Sequence, residues 1–378
     1  MSGTLLSAQD NGVTVLRLDR PVANALVPGM RAALVAALEE AARNEGCRAV
    51  VIAGAGAGFC AGLDLTEDMA APAAPTPADL CRAVAEFPKP LVAALHGEVS
   101  GAGLSLALAA RARVAHAGAR LCFPEIALAM MPGAGATQRL PRLLGAQAAL
   151  EMLLSGRAVR ADAARLRPLF ARVEAEAAQV GPAARALALQ LASAAPDAAQ
   201  RAPDRGLSDP RGYQRAVAEV RTRLGGDAGA AGDVLLAVEA AQLLPLPQGL
   251  DFEEVLAGER AASREARALR HLRLAEGRAR ALPEMRAAAP GTAARVAGAV
   301  PGPLAERLAA VGVTVGDGDA AAPGDLVIAP ATGTAPAAAV RLDTGGGFGE
   351  AGLWLRLWPG AALAEIGVGP GAEAARVA

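Results

Sequence analysis

The chain has 378 residues, a net charge of −1, 53% hydrophobic residues and only 2% aromatic residues. That length allows one large domain or two to three ordinary ones, with cores built mainly from Ala, Leu and Val. Balanced charge and scarce aromatic rings exclude a basic, base-stacking surface for nucleic acid.

Val13 to Leu18 alternates apolar and polar residues and predicts a strand. Pro28 to Asn44 has helical spacing, and Arg48 to Ala53 is a short apolar strand run before the glycine-rich segment Gly54 to Gly62. Pro90 to Ala110 is apolar enough to suggest a membrane span, but His96, Glu98 and three glycines interrupt it. It reads instead as a strand over Leu91 to Leu95, a glycine-rich turn and a helix from Ala102 to Ala110. This βα alternation predicts parallel pairing, and such folds place ligands at the turns that follow strands. Ala146 to Leu154 and Arg160 to Val180 read as helices. Ala194 to Gly212 turns rich in Ala, Pro, Asp and Arg, as at a loop or subdomain junction. Asp251 to Ala281 predicts a long charged helical stretch, its arginine-rich part a solvated face. Pro283 to Pro301 reads as a linker, and Val311 to Val315 and Asp325 to Ile328 as weak strands.

Cys47, Cys60, Cys81 and Cys122 are scattered without CxxC spacing, and the first residues lack a basic stretch followed by an apolar run. A reduced, cytoplasmic protein is expected, its cysteines serving as small core residues. No metal is implied.

Three segments carry candidate chemistry: Phe59-Cys60-Ala61-Gly62-Leu63-Asp64-Leu65, His96-Gly97-Glu98-Val99-Ser100-Gly101-Ala102-Gly103-Leu104-Ser105-Leu106, and Pro124-Glu125-Ile126 leading to Pro132-Gly133-Ala134-Gly135. Small residues at Gly62 and Ala102 let a ligand approach the backbone. Two main-chain N–H groups, one at a helix start, can hold an oxyanion, and the helix dipole supports that charge. Glu125 is an isolated carboxylate at a Gly/Pro-rich turn in apolar surroundings, where burial lifts a carboxyl pKa toward the range useful for moving protons. The bland alternative is a structural carboxylate tied to turn N–H groups.

Together, and in this order, the segments resemble the crotonase (enoyl-CoA hydratase/isomerase) superfamily; Leu18-Asp19-Arg20-Pro21 through Leu26 is similar to its first strand and turn. The resemblance runs from about residue 10 to about residue 170. It implies a spiral of ββα turns, a trimeric or related assembly or a β-oxidation partner subunit, and an acyl-CoA thioester as substrate. CoA belongs to that substrate, and no separate cofactor is expected. By resemblance the oxyanion donors are the N–H groups of Leu63 and Ala102 and the catalytic acid is Glu125. The acyl-CoA would touch Arg20, Ala23, Ala25, Ala61, Gly62, Asp64, Leu65, Gly101 and Gly133. Family hydratases carry a second glutamate where this chain has Ser105. A hydroxyl orients water but does not take its proton near neutral pH, so the chemistry favours moving a double bond from C3 to C2 over hydration. Ser105 and Glu98 are secondary candidates for the missing acid; each also has a bland reading, as a small helix residue and a solvent-facing side chain. His96 reads as a core histidine, His116 as a surface one, Asp64 as a turn stabiliser, and Arg20 as either a phosphate contact or a surface ion-pair partner.

Val238 to Arg280 resembles the helical linker of the multifunctional β-oxidation enzyme, in which a 3-hydroxyacyl-CoA dehydrogenase follows. Here Arg295-Val296-Ala297-Gly298-Ala299-Val300-Pro301-Gly302 lacks GxGxxG spacing, and no histidine follows His271. NAD binding is therefore not expected. The domain expectation is an acyl-CoA domain over 1–190, a helical subdomain and linker over 191–290, and a degenerate Rossmann-like α/β region over 291–378. The competing functional class is a pseudoenzyme that binds acyl-CoA or a partner without turnover.

Overall fold

The computed structural model describes residues 4–21, 23–194, 204–226 and 229–281, together with six short strands between 295 and 368. The chain divides into two compact units, 1–270 and 271–378.

The first unit begins with a hairpin, β1 (Thr4–Asp10) and β2 (Val13–Asp19), closed at Asn11-Gly12, both at positive φ. Helix α1 (Pro28–Arg43) follows with Pro28 in its first turn, where a missing N–H costs nothing. Strands β3 (Ala49–Gly54), β4 (Leu91–Leu95), β6 (Ala112–His116) and β9 (Arg172–Glu174) extend the sheet in parallel, in the order β1-β2-β3-β4-β6-β9. Strands β5 (Glu98–Ser100), β7 (Arg120–Cys122) and β8 (Val159–Arg160) form a small second sheet. Parallel pairing forces crossovers, so helices α2 (Pro77–Ala85) and α3 (Ala102–Ala109) return the chain between turns, as the spiral expectation requires.

The runs in β3 and β4 are apolar throughout because both sheet faces are covered. Val51, Val92 and Val114 pack under Val180, Ala184 and Leu187 of α6 (Ala177–Ser193). Val50, Ile52 and Leu91 point the other way, into the main core with α1, α3, α4 (Ala136–Leu144) and α5 (Ala146–Ser155). Helices α7 (Pro210–Leu224), α8 (Ala230–Leu243), α9 (Leu246–Ala262) and α10 (Arg264–Ala281) complete the helical part. The long helical stretch expected from Asp251 is thus two helices. The break falls at Ser263, whose hydroxyl oxygen accepts the Ala266 N–H at 3.1 Å and caps α10.

The helix read over Arg160 to Val180 is corrected. That stretch holds β8, a 3-10 turn (Ala164–Leu169) and β9, and helix begins only at Ala177. Arg160 pairs with Arg120 and Val173 with Ala115, so sheet edges outcompete helical propensity, and Pro168 removes a helix donor. The strands expected from 13, 48 and 91 and the helices from 28, 102 and 146 lie where they were read, within one or two residues. No helix among the described residues is long and apolar enough to cross a membrane.

The second unit has one six-stranded sheet in the order β11-β10-β12-β13-β14-β15, formed by β10 (Arg295–Ala297), β11 (Thr314–Gly316), β12 (Leu326–Pro330), β13 (Ala339–Leu342), β14 (Leu353–Leu357) and β15 (Ala364–Val368). All its pairs are parallel except β14 with β15. Both weak strand signals fall on this sheet, at β11 and β12, while the glycine segment 298–302 and most of the expected linker lie outside the described residues.

Candidate active site

The site is assembled where the β5–α3 turn meets the loop after β3. Cys60 bridges to Val99, and the Ser100 N–H donates to the Cys60 carbonyl at 2.9 Å. Gly62, at φ +92°, lies against this turn: a Cβ there would sit 3.2 Å from the Ala102 nitrogen and 3.0 Å from the Ser100 oxygen. Ala102 is the first residue of α3, so its N–H has no intrahelical acceptor. Among the described residues, neither it nor the Leu63 N–H donates to a protein acceptor. Two unspent donors thus flank one small opening, one of them at the positive end of a helix.

Glu125 reaches this opening from a 3-10 turn (Pro124–Leu128) that follows β7. Pro124 starts the turn, and Ala129, at φ +51°, ends it. The Glu125 carboxylate faces Gly101, and a Cβ on Gly101 would lie 2.5 Å from its Oε1. Its Oε2 is buried and has no hydrogen-bond partner among the described residues. Burial pushes the carboxyl from its ordinary 4.5 up to about 7, opposed only by a bond to its own backbone N–H. Such a group can hold and release a proton near neutral pH. Gly101→Ala should therefore lower turnover about 100-fold, because it places a methyl group against Glu125 and strains a residue at φ +52°. Steady-state kinetics on the folded variant reads this, and unchanged kcat would show that the contact does not matter.

Leu63, Ala102, Glu125 and Gly133 all line one cavity of about 290 Å³. Its walls are largely apolar, with Met69, Met130, Met131 and Leu250 among them. Two further carboxylates border it, Glu253 and Glu254. The Glu253 oxygens accept the N–H groups of Gly135 and Thr137 (2.5 and 2.7 Å) and the Thr137 hydroxyl (2.5 Å). Burial raises the Glu253 pKa, while these bonds and nearby Arg139 pull it down. Glu254 is half-exposed and pairs with Arg82 at 3.5 Å.

The remaining expected contacts form a strip beside the cavity rather than lining it. The Ala61 N–H donates to the Ala23 carbonyl at 2.9 Å and the Leu26 N–H to the Gly62 carbonyl at 2.8 Å, so residues 20–26 and 60–66 run together. Ala23 is exposed, while Ala25, Ala61 and Leu65 are half-buried. Arg20 pairs with Asp64 at 3.1 Å, and Asp64 also accepts the Thr66 N–H and hydroxyl. Those hydrogen bonds and the Arg20 charge overcome desolvation and hold the Asp64 carboxyl below its usual range. Asp64 is therefore a turn stabiliser.

Ser105 is buried and its hydroxyl donates to the Gly133 carbonyl at 2.8 Å, outside the cavity lining. Glu98 is exposed, accepts the Ser100 hydroxyl at 3.0 Å and does not line the cavity either. His96 is half-buried, its ring nitrogen 3.1 Å from the Gly56 carbonyl. Cys47, Cys60 and Cys81 are buried and Cys122 is half-buried.

Sequence reading missed three supports of this site. Asn24, buried at φ +55°, donates its amide to the Ala55 and Gly58 carbonyls and accepts the Arg20 N–H, so it shapes the strip. Fully buried Arg31 donates to Glu67 and to the Leu26, Ala73 and Pro75 carbonyls, and so holds the loop that carries Met69. Glu253 holds the start of α4 from α9. An Asn in the 20–26 turn and an Arg inside the apolar face of α1 were the only signals available.

Residues 8–218 match the family described as Enoyl-CoA hydratase/isomerase. The chain is 41% identical over 152 residues to the peroxisomal bifunctional enzyme of Danio rerio; these are 40% of this chain and 21% of that protein, so it spans about a fifth of that relative. It is 35% identical over 196 residues to a probable enoyl-CoA hydratase of Bacillus subtilis, covering 50% of this chain and 76% of that one. It is 43% identical over 169 residues to the 2,3-dehydroadipyl-CoA hydratase of Escherichia coli, covering 43% of this chain and 66% of that one. Among solved structures, an enoyl-CoA hydratase/isomerase from Pseudoalteromonas atlantica superposes with a TM-score of 0.54 at 26% identity, over 72% of this chain and 97% of that one.

Proposed function

Because the chain belongs to the enoyl-CoA hydratase/isomerase family, we propose that it is an acyl-CoA enzyme of fatty-acid β-oxidation that shifts a carbon–carbon double bond from C3 to C2 of an enoyl thioester. The thioester oxygen accepts the N–H groups of Leu63 and Ala102. Glu125, as carboxylate, removes a proton from C2. The negative charge moves onto the thioester oxygen, where the two donors and the α3 dipole stabilise it. The protonated Glu125 then delivers its proton to C4 as the double bond settles between C2 and C3. One carboxylate serves as base and then acid, which suits a group poised near pH 7.

The observation that carries this reading is that, among the described residues, Glu125 is the one carboxylate lining the cavity of Leu63 and Ala102 with a buried oxygen that has no hydrogen-bond partner. Glu253 and Glu254 have partners, and the Ser105 hydroxyl is spent on Gly133. Hydration needs a second group to activate water; Glu253 and the Ser105 hydroxyl are hydrogen-bonded, and Glu254 is half-exposed beside Arg82. Offered a 3-enoyl-CoA, the purified full chain should generate the ultraviolet absorbance of a conjugated enoyl thioester. With crotonyl-CoA, loss of that absorbance should be at least about 100-fold slower. Hydration at an equal or greater rate would overturn the assignment. The replacement of the second acid by a hydrogen-bonded serine also favours the pseudoenzyme reading, which predicts saturable acyl-CoA binding with no absorbance change for either substrate.

A further inference from the structure

A second cavity, of about 360 Å³, lies where the C-terminal ends of α2 and α3 meet α4. Five cations line it, Lys89, Arg111, Arg113, Arg139 and Arg142, against one carboxylate, Asp204. Among the described residues none of the five forms a carboxylate ion pair within 4.0 Å. Most of their bonds go to main-chain carbonyls. Lys89 donates to Ala41 and Asn44 at the end of α1. Arg113 donates to Ala107 and Ala110 around the end of α3 and to Leu169. Arg142 donates to the Gln138 and Leu244 carbonyls, and Arg139 to Ala134.

The C-terminal ends of α1, α2, α3 and α8 offset about two units of this charge. Allowing also for Asp204, and for Glu253 on the far side of Arg139, roughly one positive charge remains uncompensated. Arg111 stands apart from the others. Its Nη2 is buried and has no hydrogen-bond partner among the described residues. Desolvation lowers its pKa, as it does those of Arg113 and Arg142. The walls between the cations are apolar, with Val84, Leu108 and Leu143 among them. The volume exceeds that of a bare oxyanion and leaves room for a small organic body.

We propose that this cavity is a binding site for a small phosphate-bearing anion, with Arg111 as its direct ligand and Arg139 and Arg142 supplying the surrounding positive field. Guanidinium groups match tetrahedral oxyanions with paired donors, and an unpartnered buried N–H gains most from such a partner. Arg139 borders this cavity and the acyl-CoA cavity alike, so occupancy here would bear on the Glu253 contact at the start of α4.

Inorganic phosphate is the probe. At ionic strength matched with sodium chloride, phosphate should raise Tm of the full chain saturably, by a few degrees. Equilibrium dialysis with labelled phosphate should find a site that Arg111→Ala removes and Arg20→Ala, on the acyl-CoA strip, retains. Arg111→Lys keeps charge without the paired donors and should weaken binding about tenfold; it serves as the test if the alanine variant does not fold. Binding unchanged in both Arg111 variants, binding lost only in Arg20→Ala, no saturable binding at all, or succinate stabilising more strongly than phosphate would each overturn the proposal.

Discussion

Replacing Glu125 by Gln should lower kcat for 3-enoyl-CoA isomerisation by about 10²–10⁴-fold, the range expected when the group that carries the proton is removed. KM should change little, because the variant leaves untouched the Leu63 and Ala102 N–H groups proposed to hold the thioester oxygen. The pH dependence follows from the raised pKa. Only ionised Glu125 can take the C2 proton, so kcat/KM should rise with pH through about 7 in the wild type, and the variant should lose that limb. Stability runs the other way. The folded-state pKa lies above the ordinary 4.5, so the folded chain binds this proton more tightly than the unfolded chain. Stability contributed by the protonated form is complete below about pH 4.5 and is lost as pH rises to about 7. Gln should remove this loss, so the Tm of Glu125→Gln should gain on the wild type between those limits. Unchanged isomerisation by the variant would rule out the mechanism; a Tm difference independent of pH would show that residue 125 does not titrate there.

The largest effect on stability is expected at Arg31. Its guanidinium lies within 2.8 Å of both Glu67 oxygens and donates to three carbonyls, with no exposed surface. Arg31→Ala leaves three carbonyls without this donor and Glu67 with only the Ala73 N–H, and removing one partner of a buried pair costs about 3–5 kcal/mol. Hydrogen exchange of the amides in residues 67–75 should accelerate before the rest of the first unit, because Ala73 and Pro75 lose their anchor. The loop carries Met69 and Pro72 into the cavity that Glu125 lines, the proposed acyl-CoA site, so KM for acyl-CoA should rise as well. A loss below about 1 kcal/mol by denaturant titration, with residues 67–75 still protected, would contradict this account.

The candidate residues were legible because each sits in a short stretch with a distinctive local geometry. Gly62 and Gly101 need positive φ, Ala102 starts a helix, and Glu125 opens a turn behind Pro124. Apolar period did the same for β3, β4 and α1. It failed over Arg160 to Val180, where Ala- and Arg-rich spacing resembles a helix but Val159, Arg160 and Val173 are held by sheet partners far away in sequence.

Residue order, through the motifs that resemble the family, therefore indicated the spiral of parallel strands and singled out Leu63, Ala102 and Glu125 as candidates, since these motifs depend on neighbours a few positions apart. Tertiary structure alone decided what surrounds them: that Glu253 grips α4 from 116 residues away, that Ser105 spends its hydroxyl on Gly133, and that cations from three segments gather in one second cavity. Such contacts join segments whose spacing follows no helix or strand period, and buried charge settles where packing brings it a partner, which no local pattern records.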